Sequence, residues 1–128
     1  MSVRALRGAT TIDVDEPEHL TERVQELVSE VMQSNGLVPD DLISVIFTAT
    51  KDVRSKFPET AARQWGLDDV PLLGAQVLDV ETSLPLCIRL MAHVETDKPR
   101  SEMHHVCAPS WNRSRLSPMP RRFPSPCW

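Results

Sequence analysis

Between Leu84 and Val94 the chain reads LPLCIRLMAHV, an apolar run with an arginine near its middle. Such a run, bounded by polar residues, predicts a strand covered on both faces. Arg89 within it requires an anion, because an unpaired buried charge is costly and a guanidinium does not shed its proton. Alternation places Leu86, Ile88, Leu90, Ala92 and Val94 on one face, a clean core set. Cys87, Arg89, Met91 and His93 share the other, which must border either a cleft or a subunit interface. The strand alone leaves open whether a carboxylate of the protein or a ligand meets the arginine.

The rest of the chain supplies partners for that strand. Residues 2–13, SVRALRGATTID, predict a strand with a local irregularity at Gly8. Asp15 reads as an N-cap with Glu18 completing a capping-box-like pair, and Pro17 fits the first turn. Leu20, Val24, Leu27, Val28, Val31 and Met32 then recur at helical spacing until Asn35-Gly36 ends the helix. LISVIFTAT (42–50) predicts a second strand, Pro58 starts a short helix through Arg63, and 70–80 reads as a strand broken at Gly74. MHHVC (103–107) supplies a last short strand. The expected fold is α+β, a mixed β-sheet with one main amphipathic helix upon it. One helix covers only one face of the sheet, so a second copy of the chain is expected on the other.

Composition narrows the function. At 128 residues, 41% hydrophobic and 25% charged, the chain has room for one core. A net charge of −4 gives no reason to expect nucleic acid or an anionic membrane as partner. No apolar run reaches the length of a membrane span, and the opening MSVRALRGATT lacks a signal-peptide core. Cys87, Cys107 and Cys127 form no CxxC, which predicts reduced thiols in a cytoplasmic protein and no metal site. All 18 acidic residues and ten of the 14 basic ones lie in residues 1–107, a net −8. The last 21 residues hold four arginines, five prolines and no acid. The reading is a folded domain over 1–107 and an extended or disordered tail over 108–128.

No nucleophile–base pair, phosphate loop or paired-carboxylate site stands out. Arg7 before Gly8, Arg63 on the short helix and Arg89 suggest a pocket for a small polyanion, although a surface role suits Arg7 and Arg63 equally well.

VRALRGATTID, FTAT with FPETAAR, VPLLGAQ with LDV, and LPLCIRLMAHVETD occur in that order. With their RGATT, FP-x4-R and CIR-x6-T signatures they resemble the monofunctional, AroH-type chorismate mutases from residue 3 to about 106. The resemblance implies a homotrimer whose sheets form a pseudo-α/β barrel with sites at subunit interfaces. It implies an isomerase that needs no cofactor and turns chorismate into prephenate on the route to the aromatic amino acids. Arg89 then corresponds to the catalytic arginine beside the ether oxygen, and Arg7 to the arginine that clamps a carboxylate. Phe57 and Arg63 correspond to residues lent by the neighbouring subunit, and Leu72, Leu73, Gly74 and Ala75 to the strand lining the pocket.

The chain departs from that pattern chiefly at two positions. The family strand reads Gln-Glu-x-Asp where this one reads Gln76-Val77-Leu78-Asp79. The glutamate so lost binds the substrate's ring hydroxyl and balances the arginines. Glu81, four residues on, would lie roughly 10 Å away along a strand. Cys107 stands where the family has a carboxylate-binding tyrosine, and the chain has no tyrosine at all. The expectation is a slow chorismate mutase, with a catalytically impaired anion-binding or scaffold homologue as the alternative.

Overall fold

The computed structural model describes residues 1–81 and 84–108. The tail expected over 108–128 lies, beyond its first residue, outside the described residues. Strands β1 (Ser2–Thr11), β2 (Leu42–Ala49), β3 (Leu72–Gln76), β4 (Cys87–Thr96) and β5 (Val106–Cys107) form one sheet in the order β3-β2-β4-β1-β5. β4 runs antiparallel to both β1 and β2, while β3 and β5 pair parallel to β2 and β1. The mixed sheet with helices on it is the expected α+β architecture.

Helix α1 (Pro17–Ser34) covers one face, burying the expected stripe together with Arg23. Beneath it lie Leu6 of β1 and the apolar set of β4, Ile88, Leu90, Ala92 and Val94, all buried. A second helix, α2 (Pro58–Trp65), connects β2 to the parallel neighbour β3. Pro58 opens it, where its missing N–H leaves no helical bond unmade, and Gly66 closes it at φ +135. Gly36, at φ +61, turns the chain away just after α1, as Asn35-Gly36 predicted.

Three local expectations are corrected, each because a side chain or its absence serves a tertiary contact. Asp15 does not cap α1, whose N-cap is Glu16 without a side-chain bond. The Asp15 carboxylate instead accepts from the backbone N–H groups of Arg54 and Ser55, at 2.9 and 3.2 Å. β1 runs unbroken through Gly8, paired with Leu90. The glycine serves close approach: a Cβ there would stand 3.1 Å from both Leu27 and Val31 of α1. β3 likewise runs unbroken through Gly74, paired with Phe47.

The Arg89 strand begins later than its apolar run, at Cys87. Leu86 sits at φ +49, a conformation unusual for a branched side chain. It is held there from several sides. Its N–H donates to both oxygens of Asp52, at 3.2 and 3.0 Å, and its carbonyl accepts from Ile12 N–H at 3.0 Å. Cys87 N–H donates to Thr50 Oγ1, and Thr50 N–H to the Cys87 carbonyl, each at 3.0 Å. The Thr50 hydroxyl in turn donates to Asp52. This knot between β2 and β4 fixes where β4 starts, and hence where Arg89 falls along the sheet.

At the other end Asn35, 1% exposed, ties the last strand to the helix. Its amide donates to the carbonyls of Val31 and His104 and accepts from His104 N–H at 2.8 Å. Those bonds place the chain for β5.

Gly8→Ala tests the close approach. It should lower unfolding stability by about 1–3 kcal/mol, the usual cost of overpacking. The midpoint of urea denaturation would fall with its slope unchanged, and an unmoved midpoint would show that α1 can lift away.

Candidate active site

Strand register assembles the arginines. Ala75, Thr48, Arg89, Ala9 and Cys107 are successive partners across the sheet, one row running from β3 to β5. The next row on the same face holds Leu73, Ile46, Met91 and Arg7. Arg7 and Arg89 are therefore diagonal neighbours on adjacent strands, within reach of one ligand for side chains this long. Both are half-buried, as is Cys107 beside them. The face they occupy is the one α1 leaves uncovered.

Arg7 has its backbone fixed by a neighbour: its N–H donates to His105 Nδ1 at 3.0 Å. That bond requires an unprotonated Nδ1. Burial, the Arg7 charge and His104 all push the His105 ring below its ordinary 6.5, in the same direction. Burial also pushes the Cys87 thiol up, against the pull of Arg89, so it rests protonated in the core. Cys87 is a free thiol.

A second group surrounds a cleft of about 690 Å³ between α2 and β3. Phe57, Leu72, Leu73, Gly74, Ala75 and Gln76 line it, six of the residues expected to bind substrate. Phe57, the N-cap of α2, is 73% exposed, and Leu73 is 62% exposed, so the wall is apolar and uncovered. Lys51 and Arg54 add cations to the lining. Lys51 holds Asp79 at 2.9 Å, which raises the Lys51 pKa.

Besides Arg7, Arg89 and Cys107 on the sheet face, two expected residues lie outside this lining. Arg63 is exposed in the last turn of α2, and Val77 lies just beyond β3 with its N–H on the Ala49 carbonyl. Glu81 is exposed past the strand and takes no place in the cleft. The cleft also contains a carboxylate that sequence reasoning missed, Glu59 on α2. Its only signal was an acid directly after Phe57-Pro58. Among the described residues no group of histidine, cysteine and acidic side chains could hold a metal ion. No described helix is long and apolar enough to cross a membrane.

Two arginines side by side on an open sheet face, with an apolar cleft at the sheet edge, make up the candidate site. The comparisons give the chain its family. The chorismate mutase type I family matches residues 3–115, and the chain belongs to it. The chain is 43% identical over 105 residues to the chorismate mutase AroH of Thermus thermophilus, covering 81% of this chain and 86% of that one. It is 35% identical over 107 residues to the chorismate mutase AroH of Bacillus subtilis, covering 83% and 84%. A chorismate mutase structure from Clostridium thermocellum superposes with a TM-score of 0.79 at 43% identity, over 80% of this chain and 92% of that one.

The His105 bond predicts a pH effect of defined sign. Because the folded state depresses this pKa, its contribution to stability is present above 6.5 and is lost as pH falls through the lower, folded value. The thermal midpoint should therefore drop between pH 7 and pH 5. His105→Asn, which keeps an acceptor that does not titrate there, should flatten that drop.

Proposed function

We propose that the chain is a chorismate mutase that works as a homotrimer, with each site closed between two subunits. The observation that carries the reading is the placement of Arg7 and Arg89 as diagonal neighbours on the open face of the sheet. The reaction is a unimolecular rearrangement: the ether C–O bond breaks as a C–C bond forms, with no proton transferred and no covalent intermediate. Catalysis then consists of holding a dicarboxylate in its compact conformer and countering charge that grows on the ether oxygen.

Arg89 stands beside that oxygen as the fixed cation. Its strand is bonded along both edges and locked at its start by Asp52 and Thr50, so the cation needs little reorganisation as charge develops. Arg7 offers a planar fork to a carboxylate. Phe57 and the β3 wall exclude water from the ring, with Arg63 lent from α2.

Assembly follows from the same geometry. The cleft lies at the β3 edge, two strands from β4, and the arginine face carries exposed Met91 and Val3. A neighbouring copy set against that face brings its own cleft over the arginines. A pseudo-α/β barrel of three chains, with the folded unit over residues 1–107 and a cytoplasmic location, belongs to this reading.

The second reading, an impaired homologue that binds anions without turnover, is favoured by Val77, which cannot hydrogen-bond a substrate. The test is loss of chorismate absorbance over the uncatalysed rate. Wild type should be active but slow. Arg89→Ala should lose about a hundred- to a thousandfold, the scale of removing a group that meets developing charge. Val77→Glu should raise the rate, by at most the roughly ten- to hundredfold worth of one hydrogen bond to a charged group. Silence of all three, with chorismate still bound, would make the anion-binding reading the correct one.

A further inference from the structure

Glu59 is the charged group that the roles above leave unused. It lies in the first turn of α2 and is only 9% exposed, yet its Oε2 has no hydrogen-bond partner among the described residues. A carboxylate oxygen in that condition is costly unless something donates to it. The residue lines the same cleft as Phe57 and β3, so a ligand there brings a donor within reach once the carboxylate turns toward the cleft.

Gly74 makes the position possible. A Cβ at residue 74 would overlap Oε2 and stand 2.7 Å from Cδ and 2.8 Å from Oε1. Glycine here serves space, not backbone freedom, because β3 is regular through it. The carboxylate occupies the volume that any side chain at residue 74 would need. One position along the chain from the end of β3, Val77 supplies no polar group, and Asp79 is engaged by Lys51. Glu59 is thus the carboxylate of this cleft.

We propose that Glu59, seated over Gly74, accepts the hydrogen bond of the substrate's ring hydroxyl and so determines specificity at this site. The inference rests on the chorismate mutase reading. The cations of the site meet the two carboxylates of the substrate, and the one buried acceptor meets its one alcohol. A site built around such an acceptor rejects an analogue that lacks the donor, because the acceptor is then left unpaired.

The experiment compares kcat/KM for chorismate with that for the analogue carrying hydrogen in place of the ring hydroxyl. Wild type should prefer chorismate by about ten- to a hundredfold. Glu59→Ala should reduce the preference to a few-fold, and Glu59→Gln should lie between. Gly74→Ala should evict the carboxylate and give the Glu59→Ala phenotype, and the two changes together should cost no more than either alone. Val77→Glu should restore the preference in the Glu59→Ala background, and should help there more than in wild type.

An unchanged preference in Glu59→Ala, with chorismate still converted, overturns the role of Glu59 and leaves the mutase reading standing. Dissociation of the trimer in Glu59→Ala, with Glu59→Gln keeping both assembly and full preference, makes Glu59 an interface residue and also overturns it. If neither wild type nor Val77→Glu converts chorismate, the mutase reading fails and this role fails with it.

Discussion

The strand carrying Arg89 is hydrogen-bonded along both edges, and every functional position is referred to it. Its pairing with β1 runs from Thr11–Cys87 to Ser2–Thr96, and its pairing with β2 from Ala49–Ile88 to Leu42–Val94. A slip of one residue would send Arg89 into the core and Leu90 out to the open face. The knot of Asp52, Thr50 and Leu86 opposes that slip from outside the ladder. It holds Leu86 in a conformation the residue would not choose, which a chain tolerates only where its surroundings over-determine it.

Much of this was legible in the residues because it rests on periodicity. The alternation around Arg89 and the apolar stripe of α1 each declare a face without reference to anything distant. The glycines were harder to read. By sequence Gly8 reads as a local irregularity and Gly74 as a break in a strand, since glycine weakens a strand and often marks a bulge. Both sit in regular ladders, and each leaves out a Cβ that would strike another element, α1 in one case and Glu59 in the other. Which neighbour approaches a glycine is a property of the tertiary fold. Asp15 taught the same lesson, its carboxylate serving residues 54–55 and not its own helix.

The candidate site was legible in halves. Arg7, Arg89 and Cys107 fall into adjoining rows, and Phe57 with residues 72–76 surrounds the cleft. Glu59 was not legible, because an acid early in a short helix is ordinarily solvated and favoured there by the helix dipole. Its burial depends on a missing side chain fifteen residues later. An acid absent from one element and present on another leaves a motif broken while the charge of the pocket is kept.

The bonds of Asn35 carry one more consequence. β5 has two residues and meets the sheet along one edge only, so its own pairing contributes little resistance to fraying. What retains it is the side chain of Asn35, which bonds both the last turn of α1 and the backbone of His104. The final segment therefore opens when the end of the helix opens, and it belongs to the cooperative unit of α1 more than to that of the sheet. Order around Cys107 is thus shared between the sheet edge and a helix on the opposite face, which reaches it through the Asn35 amide.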